Sequence, residues 1–246
     1  MTPVDGFQEA EIFEHDGVRL PVYVSTGGEK PLVVLHELPG MMPSFIEFCR
    51  RISDDGFRVY MPLLFKSPGT EMGGAQIARF CMSREFFKLF MVRNGASGGL
   101  PVVNWLRGLL SHVGSREPDR NIGVIGMCLT GNFALAGIAD PKVSAAIACQ
   151  PAFPVMFGLK GLAMSERQRW EAVARAKSLP PPCVKGYRYE RDWRSRRGHI
   201  DAIRDAFGDA FEMFPELPGA HHSTLTADSA SEEAYRDVVS FLNARL

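Results

Sequence analysis

Apolar residues in this chain follow two rhythms, short runs of strand length and longer stretches with helical spacing. Between Glu11 and Val24, Phe13 and then Val18, Leu20, Val22 and Val24 flank the turn dipeptide Asp16-Gly17, which predicts a hairpin at the edge of a sheet. Pro31–Leu35 (PLVVL), Phe57–Met61 (FRVYM), Asn121–Ile125 (NIGVI) and Val143–Cys149 (VSAAIAC) are short and mostly apolar, as strands covered on both faces are. The spacing of Phe45, Phe48 and Ile52 predicts a helix over Ser44–Asp55 that stops at Gly56 and hands over to the next strand. Ala75–Phe90, Pro101–Val113 and Ala163–Lys177 read as further helices. Toward the C-terminus the pattern predicts a strand over Pro182–Tyr187, a helix over Gly198–Phe207, a strand over Ala210–Phe214 and a closing helix over Glu232–Leu246. Strands alternating with helices imply an α/β fold, a doubly wound and mostly parallel sheet with helices on both faces. Pro180-Pro181-Pro182 punctuates the approach to a strand and does not separate domains, so residues 1–246 read as a single α/β domain.

Composition narrows the partners. The 28 basic and 28 acidic residues cancel without long runs of either sign, so neither nucleic acid nor an anionic membrane is expected. A small, largely uncharged molecule fits better. Met1–Phe13 carries Asp5, Glu9 and Glu11 and lacks the basic-then-apolar pattern of a secretory signal. No apolar stretch approaches the roughly 20 residues of a membrane-spanning helix, and a cytoplasmic protein is expected. Cys49, Cys81, Cys128, Cys149 and Cys183 are scattered and lack CxxC pairing, which reads as free thiols in a reducing compartment with no metal or organic cofactor. Monomer and dimer both remain open.

Candidate chemistry gathers at Cys128. The segment Val124-Ile125-Gly126-Met127-Cys128-Leu129-Thr130-Gly131 places a cysteine directly after a buried strand, with a glycine two residues before and another three after, and then a helix. A nucleophile elbow needs this context: a sharp strand-to-helix turn, small neighbours for close backbone packing, and a helix N-terminus whose partial positive charge favours thiolate. A small buried hydrophobe is the alternative for any single cysteine. A cysteine nucleophile also needs a base and an orienting acid, which such a fold supplies later in the chain in the order nucleophile, acid, histidine. Asp192 follows the Pro182–Tyr187 strand, with Glu190 as a substitute acid, and His222 follows the last strand, with His221 as a rival base. Each of these alone reads equally as a surface loop residue; the constellation favours catalysis.

Together with His36-Glu37-Leu38-Pro39-Gly40 after the first parallel strand and Ser223 after His222, these residues make most of the chain resemble the dienelactone hydrolases (carboxymethylenebutenolidase-like), a cysteine-nucleophile branch of the α/β-hydrolase superfamily. The resemblance implies the α/β-hydrolase fold and a Cys128–His222–Asp192 triad. It implies that Glu37 sits beside the resting thiol and accepts its proton when substrate rearranges the site. It implies cleavage of a small lactone or ester through a thioester, with the backbone N–H groups of Leu129 and Leu38 receiving the oxyanion. A related carboxylesterase, thioesterase or acyltransferase would use the same triad, and a catalytically silent fold that binds a ligand is the alternative of another class.

Three positions depart from the family pattern: Thr130 and His221 replace glycines, and Thr226 stands where an arginine holds the substrate carboxylate. Arg84 matches the family's other substrate-binding arginine, and Arg191, Arg194, Arg196 and Arg197 offer a replacement. The stretch Pro151 to Lys177, with Phe153, Met156, Phe157, Leu159, Leu162 and Met164, reads as an apolar cap or as core.

Overall fold

The computed structural model describes residues 2–38, 40–70, 73–90, 99–152 and 162–246. Eight strands form one sheet: β1 (Glu11–His15), β2 (Val18–Val24), β3 (Lys30–Leu35), β4 (Phe57–Pro62), β5 (Ile122–Met127), β6 (Val143–Cys149), β7 (Val184–Tyr187) and β8 (Phe211–Met213), in the spatial order β1-β2-β4-β3-β5-β6-β7-β8. β1 and β2 are the antiparallel hairpin at the edge, closed by Asp16 (φ 48) and Gly17 (φ 73), both in the left-handed region that a two-residue turn of this kind requires. The strands from β4 to β8 in this order pair in parallel.

Successive residues of the central strands enter different cores. Val33, Leu35 and Val124 join a cluster with Trp105, Leu109 and Phe133 on one face, while Leu32, Val34 and Ile125 join Phe45, Ile52, Val238 and Leu242 on the other. Two-sided burial explains the apolar runs of these strands.

The helices are α1 (Pro43–Asp54), α2 (Gly74–Cys81), α3 (Arg84–Phe90), α4 (Pro101–Arg116), α5 (Gly131–Gly137), α6 (Glu166–Lys177), α7 (Arg197–Phe207) and α8 (Glu232–Asn243). The single helix expected over Ala75–Phe90 is two, because Ser83 Oγ accepts the Phe86 N–H at 3.2 Å and caps a second helix there. Similarly, α6 starts three residues later than Ala163, where Ser165 and Gln168 cap each other's backbone N–H groups. Of the apolar stretch expected as a cap or core, Phe153, Met156, Phe157 and Leu159 lie outside the described residues, while Leu162 and Met164 are buried in the core. The five cysteines are free thiols, and among the described residues no helix is long and apolar enough to cross a membrane.

Candidate functional site

Parallel pairing of β3, β5, β6 and β7 puts their carboxyl ends on one edge of the sheet, and Glu37, Cys128, Gln150 and Asp192 follow these four strands. His222 follows β8 in the same way.

Cys128 has φ 56 and opens a single 3-10 turn, Cys128–Thr130, that leads into α5. The left-handed conformation costs a residue with a Cβ roughly 1–2 kcal/mol, so neighbouring packing must hold it. Gly126 allows the turn to close: a Cβ there would sit 2.1 Å from the Thr130 carbonyl oxygen. Thr130, which stands in place of a family glycine, is buried and spends its hydroxyl on the backbone. Its Oγ1 accepts the Met127 N–H at 2.9 Å and donates toward the carbonyls of Met127 (2.8 Å) and Leu35 (3.1 Å). A side chain thus ties the nucleophile turn to the end of β3.

His222 Nδ1 meets Asp192 Oδ2 at 2.7 Å. Asp192 is buried, which alone would raise its carboxyl. The His222 bond and backbone N–H groups of Arg194 (2.9 Å) and Ser195 outweigh burial and hold it below its ordinary value. Burial likewise would lower His222, yet the Asp192 hydrogen bond and the neighbouring Cys128 push it up to about 10. His222 Nε2 is buried without a well-formed hydrogen bond among the described residues, and it faces the sulfur. One polar atom from each of Glu37, Cys128 and His222 lies within 4.8 Å of the other two.

The alternatives lie elsewhere. His221 is exposed and turns its ring against Tyr189, with centroids 5.2 Å apart. Glu190 accepts the Gly219 N–H at 3.3 Å and pairs with Arg191. Arg84 is exposed at the start of α3, and no contact among the described residues ties it to Cys128. Arg191, Arg194, Arg196 and Arg197 are exposed as well; Arg194 lies over Trp193 and Arg197 pairs with Glu216.

The sequence profile of the dienelactone hydrolase family matches residues 18–156, more than half of the chain. The chain belongs to the dienelactone hydrolase family. Solved structures agree on the fold. A dienelactone hydrolase candidate from Klebsiella pneumoniae is 19% identical, with 95% of this chain and 98% of that chain covered and a TM-score of 0.62. A dienelactone hydrolase-like promiscuous phosphotriesterase from metagenomic libraries is 13% identical, with 97% and 98% covered and a TM-score of 0.66. An α/β serine hydrolase without lid from Xanthomonas campestris is 14% identical, with 98% and 94% covered and a TM-score of 0.58. At these identities the likeness shows the fold, which is the α/β-hydrolase fold. No curated protein sequence matches significantly.

In this dienelactone hydrolase family member, the sequence singled out Ser223 and Thr226 without showing that they hold Glu37, and Gln150 went unmarked. Its Oε1 accepts from Ser223 Oγ (2.9 Å) and Thr226 Oγ1 (2.8 Å), and its Oε2 accepts from Gln150 Nε2 at 3.4 Å. Gln150 Oε1 in turn accepts the Thr224 hydroxyl at 2.6 Å and the Thr224 N–H at 3.2 Å. Glu37 and Gln150 therefore grip the histidine loop just beyond His222. The one signal available was the position of Gln150 directly after a strand on the carboxyl edge.

Arg188 does the same for the acid loop. Buried beneath it, Arg188 donates to the carbonyls of Ser195 (2.9 Å), Glu190 (3.3 Å) and Asp192 (3.4 Å) and pairs with Glu216. Five donors in a fixed planar fork suit one side chain to several carbonyls.

Proposed function

We propose that this protein hydrolyses a small ester or lactone through a thioester formed on Cys128. Family membership supports hydrolysis, and the observation that carries the finer reading is the cysteine held at φ 56 beside a histidine whose other nitrogen is bonded to a buried aspartate at 2.7 Å. An imidazole pushed up to about 10 favours imidazolium, the partner that a Cys128 thiolate needs.

In the first half-reaction the Cys128 thiolate adds to the carbonyl carbon, and the displaced electron pair moves to the carbonyl oxygen. The N–H groups of Leu38 and Leu129 receive that oxyanion; neither donates a hydrogen bond among the described residues. Collapse breaks the carbon–oxygen bond, His222 gives its proton to the departing alkoxide or enolate, and the thioester remains. In the second, neutral His222 takes a proton from water as the water oxygen adds to the thioester. The tetrahedral species then expels the Cys128 thiolate, and the acid leaves. Asp192 fixes the imidazole orientation throughout. Glu37, next to both reacting groups, is assigned the part of accepting the thiol proton when substrate binding rearranges the site. No metal or organic cofactor enters this scheme.

The test is iodoacetamide titration alongside turnover of p-nitrophenyl acetate and of a dienelactone. Loss of both activities with one equivalent bound at Cys128, and in Cys128→Ala, supports the reading. Turnover by Cys128→Ala at the wild-type rate overturns it.

A further inference from the structure

His36 immediately precedes Glu37, is fully buried, and takes no part in the chemistry above. Its ring is packed edge-on between Phe45 and Phe65, with centroids 5.8 and 4.7 Å away. Two hydrogen bonds define its tautomer. The Leu64 N–H, just beyond β4, donates to Nε2 at 3.0 Å, so Nε2 carries no proton. The proton must then sit on Nδ1, which donates to the carbonyl oxygen of Glu37 at 3.1 Å. Burial, only partly opposed by the Glu37 carbonyl, depresses His36 to about 4 and keeps the ring neutral in this tautomer.

That carbonyl belongs to the peptide whose nitrogen is the N–H of Leu38. The peptide is planar and trans, so its C=O and N–H point in opposite directions, and fixing one aims the other. The Glu37 oxygen is fixed twice, by His36 Nδ1 and by the Gly40 N–H at 2.8 Å. Of the two donors only His36 is anchored outside the loop, through Leu64, to the neighbouring strand.

We propose that His36 is the positioning residue of the oxyanion hole, holding the Glu37–Leu38 peptide so that the Leu38 N–H faces the carbonyl oxygen attacked by Cys128. The assignment rests on the hydrolytic reading above. It makes the imidazole act only through the peptide: it touches neither substrate nor reacting atoms.

Two amide substitutions separate this role from ordinary core support. In His36→Asn, the amide nitrogen occupies the place of Nδ1 and retains the donor to Glu37, while the acceptor for Leu64 is lost. In His36→Gln, the amide oxygen reaches the place of Nε2 and retains the acceptor for Leu64, while the donor to Glu37 is lost. Positioning predicts that His36→Gln loses about 10- to 100-fold in kcat on p-nitrophenyl acetate with KM within about twofold, less than the full loss of an oxyanion donor. It predicts that His36→Asn stays within about threefold of wild-type kcat although its melting temperature falls further, because the buried Leu64 N–H is orphaned. A purely structural role predicts the reverse order of activity, with kcat following stability. His36→Gln at wild-type kcat, or kcat of both variants falling in step with melting temperature, overturns the proposal. Should His36→Gln not fold, His36→Phe, which keeps the aromatic packing and deletes the donor, takes its place with the same expected loss. Iodoacetamide stoichiometry reports an intact Cys128 site. An active His36→Gln beside an inactive Cys128→Ala refutes the positioning role alone, whereas an active Cys128→Ala refutes the underlying hydrolytic reading.

Discussion

Thr226 donates its hydroxyl proton to Glu37 Oε1 at 2.8 Å, across a span of 189 residues. Both groups are buried, and the other donors to this carboxyl among the described residues, Ser223 and Gln150, are also neutral. Thr226→Val preserves shape and removes one donor from a buried acid. A loss of about 1–3 kcal/mol in urea unfolding is expected, with the C-terminal loop around His222 the first region to gain hydrogen exchange. Unchanged stability would mean that the hydroxyl contributes nothing to holding the loop.

The same contact bears on substrate choice. Where the resemblance led one to expect an arginine for a substrate carboxylate, the side chain is a threonine already committed to Glu37, and Arg84 lies exposed. Glu37 pairs with no arginine or lysine among the described residues, so an anionic group brought next to it meets repulsion that the His222 imidazolium, already bonded to Asp192, offsets only in part. Neutral aryl or lactone esters are therefore expected to exceed their carboxylate-bearing counterparts by on the order of tenfold in kcat/KM, with the gap narrowing as salt rises. Preference for the carboxylated substrate at low salt would contradict this.

Much of the architecture could be read from the chain because its strands are covered on both sides. VVL in β3 and VSAAIAC in β6 have no polar alternation to confuse them, and Asp16-Gly17 announces its turn. The break between α2 and α3 escaped because a hydroxyl-to-backbone bond at Ser83 creates it, which apolar spacing does not record. At the site, Cys128 directly follows its strand, Asp192 and His222 lie in loops beyond later strands where only the constellation marks them, and Glu37 was read from the family pattern. Gln150, Arg188 and His36 act through backbone carbonyls and neighbouring loops, and a single glutamine, arginine or histidine in a sequence carries no sign of that. Arg84 was read from the family pattern, and the fold leaves it in solvent.

Gly126 and Gly131 flank the nucleophile, but their surroundings give them unequal roles. A methyl group on Gly126 would lie 2.1 Å from the backbone oxygen of Thr130, whereas on Gly131 it would lie 3.2 Å from the Pro151 Cβ. At 2.1 Å the backbone itself must move, whereas at 3.2 Å the neighbours need give only a few tenths of an ångström. Gly126→Ala should cost at least about 2–3 kcal/mol and abolish turnover, while Gly131→Ala should cost about 1 kcal/mol or less and leave measurable activity. Thermal denaturation and p-nitrophenyl acetate turnover, measured on both, distinguish them.

Asp192→Asn keeps the shape of the acid loop but replaces an acceptor carboxylate with an amide that can present a donor to Nδ1. The imidazole would then favour the wrong tautomer, and one of the causes that raise His222 to about 10 disappears. A fall of about 10²–10⁴ in kcat is expected. The His222 imidazole, followed by NMR as pH rises, should also lose its proton at lower pH than in wild type. A wild-type pH profile in Asp192→Asn would show that the 2.7 Å contact does not govern His222.

His36 adds an acid-labile contribution to stability that is separate from the triad. Its folded value of about 4 lies below the unfolded value near 6.5, so between these two the unfolded chain binds the extra proton and the folded chain does not. Stability from this group is complete above about pH 6.5, declines as pH falls, and reaches its floor below about pH 4. Each tenfold difference in proton affinity between the folded and unfolded chains is worth about 1.4 kcal/mol, so the amplitude is up to roughly 3 kcal/mol. Urea unfolding of wild type and His36→Phe across pH 4 to 7.5 should show the difference in stability between them shrinking toward the acid end. A constant difference over that range would place His36 in a less confined setting than the one formed by Phe45, Phe65 and the Leu64 N–H.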